Sequence, residues 1–419
     1  MMIFTSIYGV VDGFFVSNFV GKTSFAAVNF IMPFLMILGA FGFMFGTGGS
    51  ALISKTMGEG DGPGANRLFS MLIYISAAVG VLVAVLGIVF LPAIAAMLGA
   101  EGDMLEDCIL YGRIILAAVP AFMLQQEFQS FFVTAEKPQL GLVATVAAGV
   151  TNMVLDGLFI AVFQWGVAGA AAATAASQCI GSVIPLLYFA RPNSSLLKLT
   201  KAGFDKKALL KTCTNGSSEL MSNISMSLVG MLYNMQLMKY AGENGVAAYG
   251  VLMYVCFIFI ATFIGYSIGT APVIGYHYGA GNHSELKNLL KKSLVIIGIV
   301  SLVMVVLGEA LAQPLSHLFV GYDRELLELT LRGFAIFSFA FLFSGIAIFG
   351  SGFFTALNNG LVSAVISFLR TLVFQVAAIL ILPLIWGIDG IWISIVAAEA
   401  LAALVTVLFL AGNRKKYRY

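Results

Sequence analysis

The run Thr151–Ile160, TNMVLDGLFI, sets an amide and a carboxylate four residues apart in an otherwise apolar stretch. On a helix that spacing puts Asn152 and Asp156 on one face, a turn apart. Two more polar groups share their level. Asp12 stands nine residues before the turn at Gly21, Asp156 nine before Trp165, and Thr174 nine after Trp165. At 1.5 Å per residue, all three sit about 13 Å inside the same ends of their helices. Two carboxylates, an amide and a hydroxyl can therefore converge, and hard oxygen ligands suit a small cation. Burial favours a neutral carboxyl, and a neighbouring carboxylate favours it further, so such a set could take up a proton near neutral pH. The same oxygens could hold Na⁺. The competing reading is a helix–helix hydrogen-bond network with both acids protonated.

Other polar groups in apolar surroundings are functional candidates by default. Glu127 follows Gln125 and Gln126 and is a candidate for a substrate cleft, as are Glu219 (in NGSSELMSN) and Tyr233. Gln126 or Gln129 could approach the Asp156 group. Glu309 and Glu399 read as packing or interfacial groups, and Arg370 as a residue that snorkels or pairs with an acid. The cysteines, Cys108, Cys179, Cys213 and Cys256, show no CxxC spacing and read as small packing residues. His277, His283 and His317 offer no metal-ligand spacing, so no metal is expected apart from Na⁺ at the acid set. Gly46–Ser50, GTGGS, lacks the phosphate-loop pattern and reads as a close helix contact. With no nucleophile–base–orienter set, no enzyme and no cofactor are expected.

The elements that carry these groups follow from composition. Of 419 residues, 60% are hydrophobic and 10% charged, against about 25% charged in soluble domains. Apolar runs of about 20 residues, the length that spans a bilayer, recur throughout. The fold class is an all-α polytopic membrane protein with twelve transmembrane helices, near 2–20, 25–56, 67–98, 107–134, 140–163, 167–190, 209–240, 246–277, 287–318, 327–357, 362–384 and 388–411. Lys and Arg gather in 191–211, after helix 8 and in the tail, while the opposite loops are acidic. By the positive-inside rule both termini are cytoplasmic. No stretch suggests nucleic-acid binding.

Shifted by 221 residues, the chain matches itself without a gap over some sixty residues. Gly48 meets Gly269, Ile53 meets Ile274, Gly58 meets Gly279, and Trp165-Gly166 meets Trp386-Gly387. Each half holds six helices, so the repeat is parallel, about an axis along the membrane normal, as in transporters. The expected organisation is an N-terminal six-helix lobe over 1–190, a basic cytoplasmic linker over 191–208, a C-terminal six-helix lobe over 209–411 and a basic tail over 412–419. The repeat mates of Asp12, Asn152, Asp156 and Thr174 are Tyr233, Val373, Ala377 and Ile395, so the acid set belongs to one lobe. Asn215–Glu219 has no counterpart ahead of Met1, so helix 1 reads as truncated or its start as misassigned.

Four segments carry a family resemblance: YGVVDGFFVSNFVGKTSFAAVNFIMPF, GTGGSALISKTMGEGD, TNMVLDGLFIAVFQWGVAGAAAATAASQ and GIDGIW. In this order, on a duplicated frame, they resemble the multidrug and toxic compound extrusion (MATE) family along essentially the whole chain. The resemblance implies two lobes in a V with a central cleft, and export of organic cations and other amphiphilic drugs against inward H⁺ or Na⁺. The likeness is greatest to the DNA-damage-inducible and archaeal branch. It implies a coupling-cation site of Asp12 on helix 1, Asn152 and Asp156 on helix 5, and Thr174 on helix 6. Gln126 or Gln129 stands where that branch has a helix 4 asparagine. The other branch uses acids on helices 7, 8 and 10, and helices 8 and 10 offer none in the core here. VTAEKP departs from the family's arginine-and-glycine signature after helix 4. The expected protein is a monomeric antiporter in a bacterial plasma membrane, in contact with lipid and small-molecule drugs. The alternatives are a lipid-linked oligosaccharide flippase or an endogenous-metabolite exporter of the same superfamily.

Overall fold

Helix is the only regular structure among the described residues of the computed structural model, which are 15–20, 22–97, 100–321 and 323–419. After a π-helical turn, α1 (Val16–Val20), come α2 (Lys22–Gly58), α3 (Gly62–Met97), α4 (Gly102–Thr134), α5 (Pro138–Val162) and α6 (Gly166–Ala190). One helical run, Lys206–Gly279, breaks at Gly242 (φ 61°, ψ −151°), which divides it into α7 (206–241) and α8 (Asn244–Gly279). That backbone region is open essentially to glycine alone. Then follow α9 (His283–Val320), α10 (Arg324–Ala356), α11 (Gly360–Trp386) and α12 (Ile388–Tyr417). Ten of these helices are long and apolar enough to cross a membrane. The protein is a multi-pass membrane protein.

The repeat is written into the backbone. Left-handed Gly60 and Gly281 (φ 87° and 67°), and Gly166 and Gly387 (both φ 58°), are 221 residues apart. Side chains of Asp61 and Asn282 accept the first free amides of α3 and α9, from Gly64 at 2.8 Å and Glu285 at 3.1 Å. Such caps satisfy groups that a helix start leaves open. Contacts divide the chain into two units, Met1–Gly216 and Ser217–Tyr419.

Within the N-terminal unit, glycines bring α2 onto α4. A Cβ on Gly42 would lie 2.6 Å from the Met123 backbone, and one on Gly46 3.0 Å from Cα of Glu127. Gly48 abuts Thr212 and Gly216 at the start of α7. The expected close contact at GTGGS is therefore present. Van der Waals packing of this kind holds helices together where lipid is as apolar as the side chains. Among the least buried spans are α3 and α9, whose exposed apolar side chains run from Tyr74 to Met97 and from Val295 to Phe319.

Both basic segments are better anchored than their charge suggests. Lys198 and Thr200 donate backbone amides to Asn66 Oδ1 (2.7 Å) and Ser70 Oγ (2.8 Å), and Leu197 is fully buried. The first turns of α7 fall in the N-terminal unit. Helix α12 continues to Tyr417 through most of the stretch expected as a tail. Tyr419 then donates to the Leu410 carbonyl (3.0 Å) and sets its ring edge-on to Phe353.

Candidate functional site

Asp156 ends the α-helical part of α5, and the next residues, Gly157–Val162, form a π-helical turn. Such widened turns recur at functional sites. Asn152 and Asp156 are buried, at 1% and 0% exposure. Asn152 Nδ2 donates across to Thr174 Oγ1 of α6 at 3.5 Å. Asn152 Oδ1 is buried and bonded to no described group. The Phe15 ring, just ahead of α1, lies opposite Gly157, the residue after Asp156. Asp12 lies outside the described residues. Three of the four expected members are thus on facing helices, and two of them share a hydrogen bond.

The helix 4 residues separate by face. Gln129 Nε2 donates to Gln126 Oε1 (2.9 Å), and no described hydrogen bond joins either to Asn152 or Thr174. Gln125 and Gln129 line a hollow between α4, α5 and α6 with Thr145 and Gly181. Glu127 faces the other way, wholly buried beside Gly46. Ser76 of α3 faces its carboxyl at a geometry that closes no hydrogen bond.

The C-terminal unit holds a second polar group, which sequence reasoning met only in pieces. Arg370 Nε donates to both carboxylate oxygens of Glu399, at 2.9 and 3.1 Å. Glu219 is half-buried on α7. Tyr233 is 2% exposed; its hydroxyl donates to Gln375 Oε1 (2.6 Å) and lies 2.9 Å from Ser394 Oγ. Its ring stacks on Tyr249. The phenol is thus held between α7, α11 and α12. Glu309 is exposed on α9. All four cysteines are free; Cys108 and Cys256 are buried, whereas Cys179 is exposed and does not serve as packing.

Known proteins share this fold. The chain is 25% identical over 415 residues to the multidrug export protein MepA of Staphylococcus haemolyticus (strain JCSC1435), covering 98% of this chain and 90% of that one. Its fold matches an outward-facing multidrug resistance MATE family transporter of the MOP superfamily, with TM-score 0.94, 24% identity, and coverage of 100% and 94%. It likewise matches a MOP superfamily transporter from Pyrococcus furiosus, with TM-score 0.93, 24% identity and the same coverage. The MatE family model matches residues 1–158 and 220–381. On that match, which spans both halves of the duplicated frame, the chain belongs to the MatE family.

Proposed function

We propose that this protein is a secondary active multidrug efflux antiporter that exports cationic and amphiphilic compounds in exchange for H⁺ or Na⁺. The observation that carries the reading is the fully buried Asp156 carboxyl, one turn from Asn152, whose amide reaches Thr174 across the α5–α6 contact. A carboxyl at that depth is expensive unless it is used. Support also comes from the relative named a multidrug export protein. Asp12 completes the set by its place in the sequence, and the combination is that of the DNA-damage-inducible and archaeal branch. The basic loops favour cytoplasmic termini, and the working unit is a monomer in a bacterial plasma membrane.

In the mechanism, Asp12 and Asp156 capture the coupling cation from outside. Neutralising them disfavours the drug-bound outward state. The cation then leaves to the cytoplasm, and drug enters from there or from the inner leaflet. Exchange is obligatory only when cation and drug favour different states, because equal affinity for both states shifts nothing. The test is ethidium efflux from proteoliposomes under an imposed pH or Na⁺ gradient. Asp156→Asn is expected to reduce efflux to the no-gradient background while eluting as a folded monomer. Unchanged efflux in that variant would overturn the N-terminal site, and the gradient that drives the wild type names the ion.

A further inference from the structure

Helices α7, α11 and α12 are the repeat mates of α1, α5 and α6, the helices of the acid set. They too carry polar groups at mid-span, with a different charge pattern. Arg370 lies ten residues into α11, within a π-helical turn, Leu369–Val373. A cation at that depth must be paired or hydrated. Its side chain and that of Glu399 are only 14% and 6% exposed, and the pair is joined by two contacts. An acid and a firmly held cation make the set.

The repeat shows what has been exchanged. Arg370 stands where the N-terminal unit has Gly149, and Glu399 where it has Gln178. Tyr233 stands where it has Asp12, and its hydroxyl is engaged by Gln375 and Ser394. We infer that the C-terminal unit carries a buried acid with its cation built in, the Arg370 guanidinium occupying beside Glu399 the place an exchangeable ion would take. A guanidinium stays charged at every accessible pH and cannot leave. Glu399 is thereby kept from taking up H⁺ or Na⁺, and ion exchange is confined to the N-terminal unit. Tyr233 and Cys256 lie in the field of Glu399. The inference rests on reading the Asp156 set as the exchanging site.

The test counts exchangeable cations on the purified full chain in detergent. Radioactive Na⁺ binding at alkaline pH and proton uptake on acidification are the two probes. Arg370→Met is expected to bind one cation equivalent more than the wild type by one of them. The gain should vanish in Arg370→Met/Glu399→Gln and persist in Arg370→Met/Asp156→Asn, which places it in the C-terminal unit. A folded Arg370→Met with the wild-type count by both probes overturns the inference. Should Arg370→Met fail to fold, the neutral pair Arg370→Met/Glu399→Gln decides: the wild-type count supports the inference, and a lower count overturns it by making the pair itself an exchange site. A wild type that takes up neither ion sinks the Asp156 reading instead, while the difference made by Arg370→Met still settles this one.

Discussion

Thr174 offers Asn152 a hydroxyl that a methyl group cannot replace. Thr174→Val keeps the volume and removes the acceptor, leaving a buried amide with one partner fewer. Interhelical hydrogen bonds in bilayers are modest, so the expected cost is about 1 kcal/mol. Thermal unfolding in detergent checks it, and Thr174→Ser should unfold close to the wild type. At this scale the sequence was informative where periodicity fixes a face. The i,i+4 spacing put Asn152 and Asp156 on one face, and Asn152, a turn deeper than Thr174 by the depth count, is the one that bonds it. Gln126 and Gln129 show the limit. Both are polar on a helix near the right level, yet the bond they make is to each other, a pairing that residue type and depth do not specify. The partner of Arg370 was equally hidden, since Glu399 lies 29 residues away on another helix.

Between helices, the decisive residues are those with least side chain. A Cβ on Gly42 would strike backbone atoms of Met123, and backbone cannot turn aside as a flexible side chain can. Gly42→Ala should therefore push α2 off α4, at about 1–3 kcal/mol, the usual cost of overpacking. Gly230 in α7 has nothing within 4 Å of such a Cβ. Gly230→Ala should stabilise by up to about 1 kcal/mol, because alanine is the better helix former. Paired melting curves compare the two, and equal shifts would refute the packing argument. Hydropathy located the middles of helices better than their ends. Helices expected from 67 and 287 begin at Gly62 and His283. The additional turns are polar, so they leave no hydropathy signal. Asp61 and Asn282 hold them in helix by capping, and buried tyrosines do the same for the end of α12.

For the molecule as a whole, the duplication was readable because glycines at turns recur at a fixed shift, and the same positions take left-handed backbone in both units. What the repeat did not reveal is how differently two equal frames can be furnished. One buries Asp156 a turn from Asn152, and the other binds its acid to an arginine. The repeat mates α3 and α9 stayed alike in their exposure. The exposed apolar bands of α3, Tyr74–Met97, and α9, Val295–Phe319, each rise about 35 Å at 1.5 Å per residue. A typical hydrocarbon core is about 30 Å thick. Each band must lean or thicken the lipid beside it, at fractions of a kcal/mol per Å of misfit. Acyl-chain length thus becomes a control variable of the pump. Gradient-driven ethidium efflux is expected to be fastest in bilayers of longer chains and to slow in short-chain ones, with the protein still folded, and a rate indifferent to chain length would show that these two helices do not feel the thickness of the membrane around them.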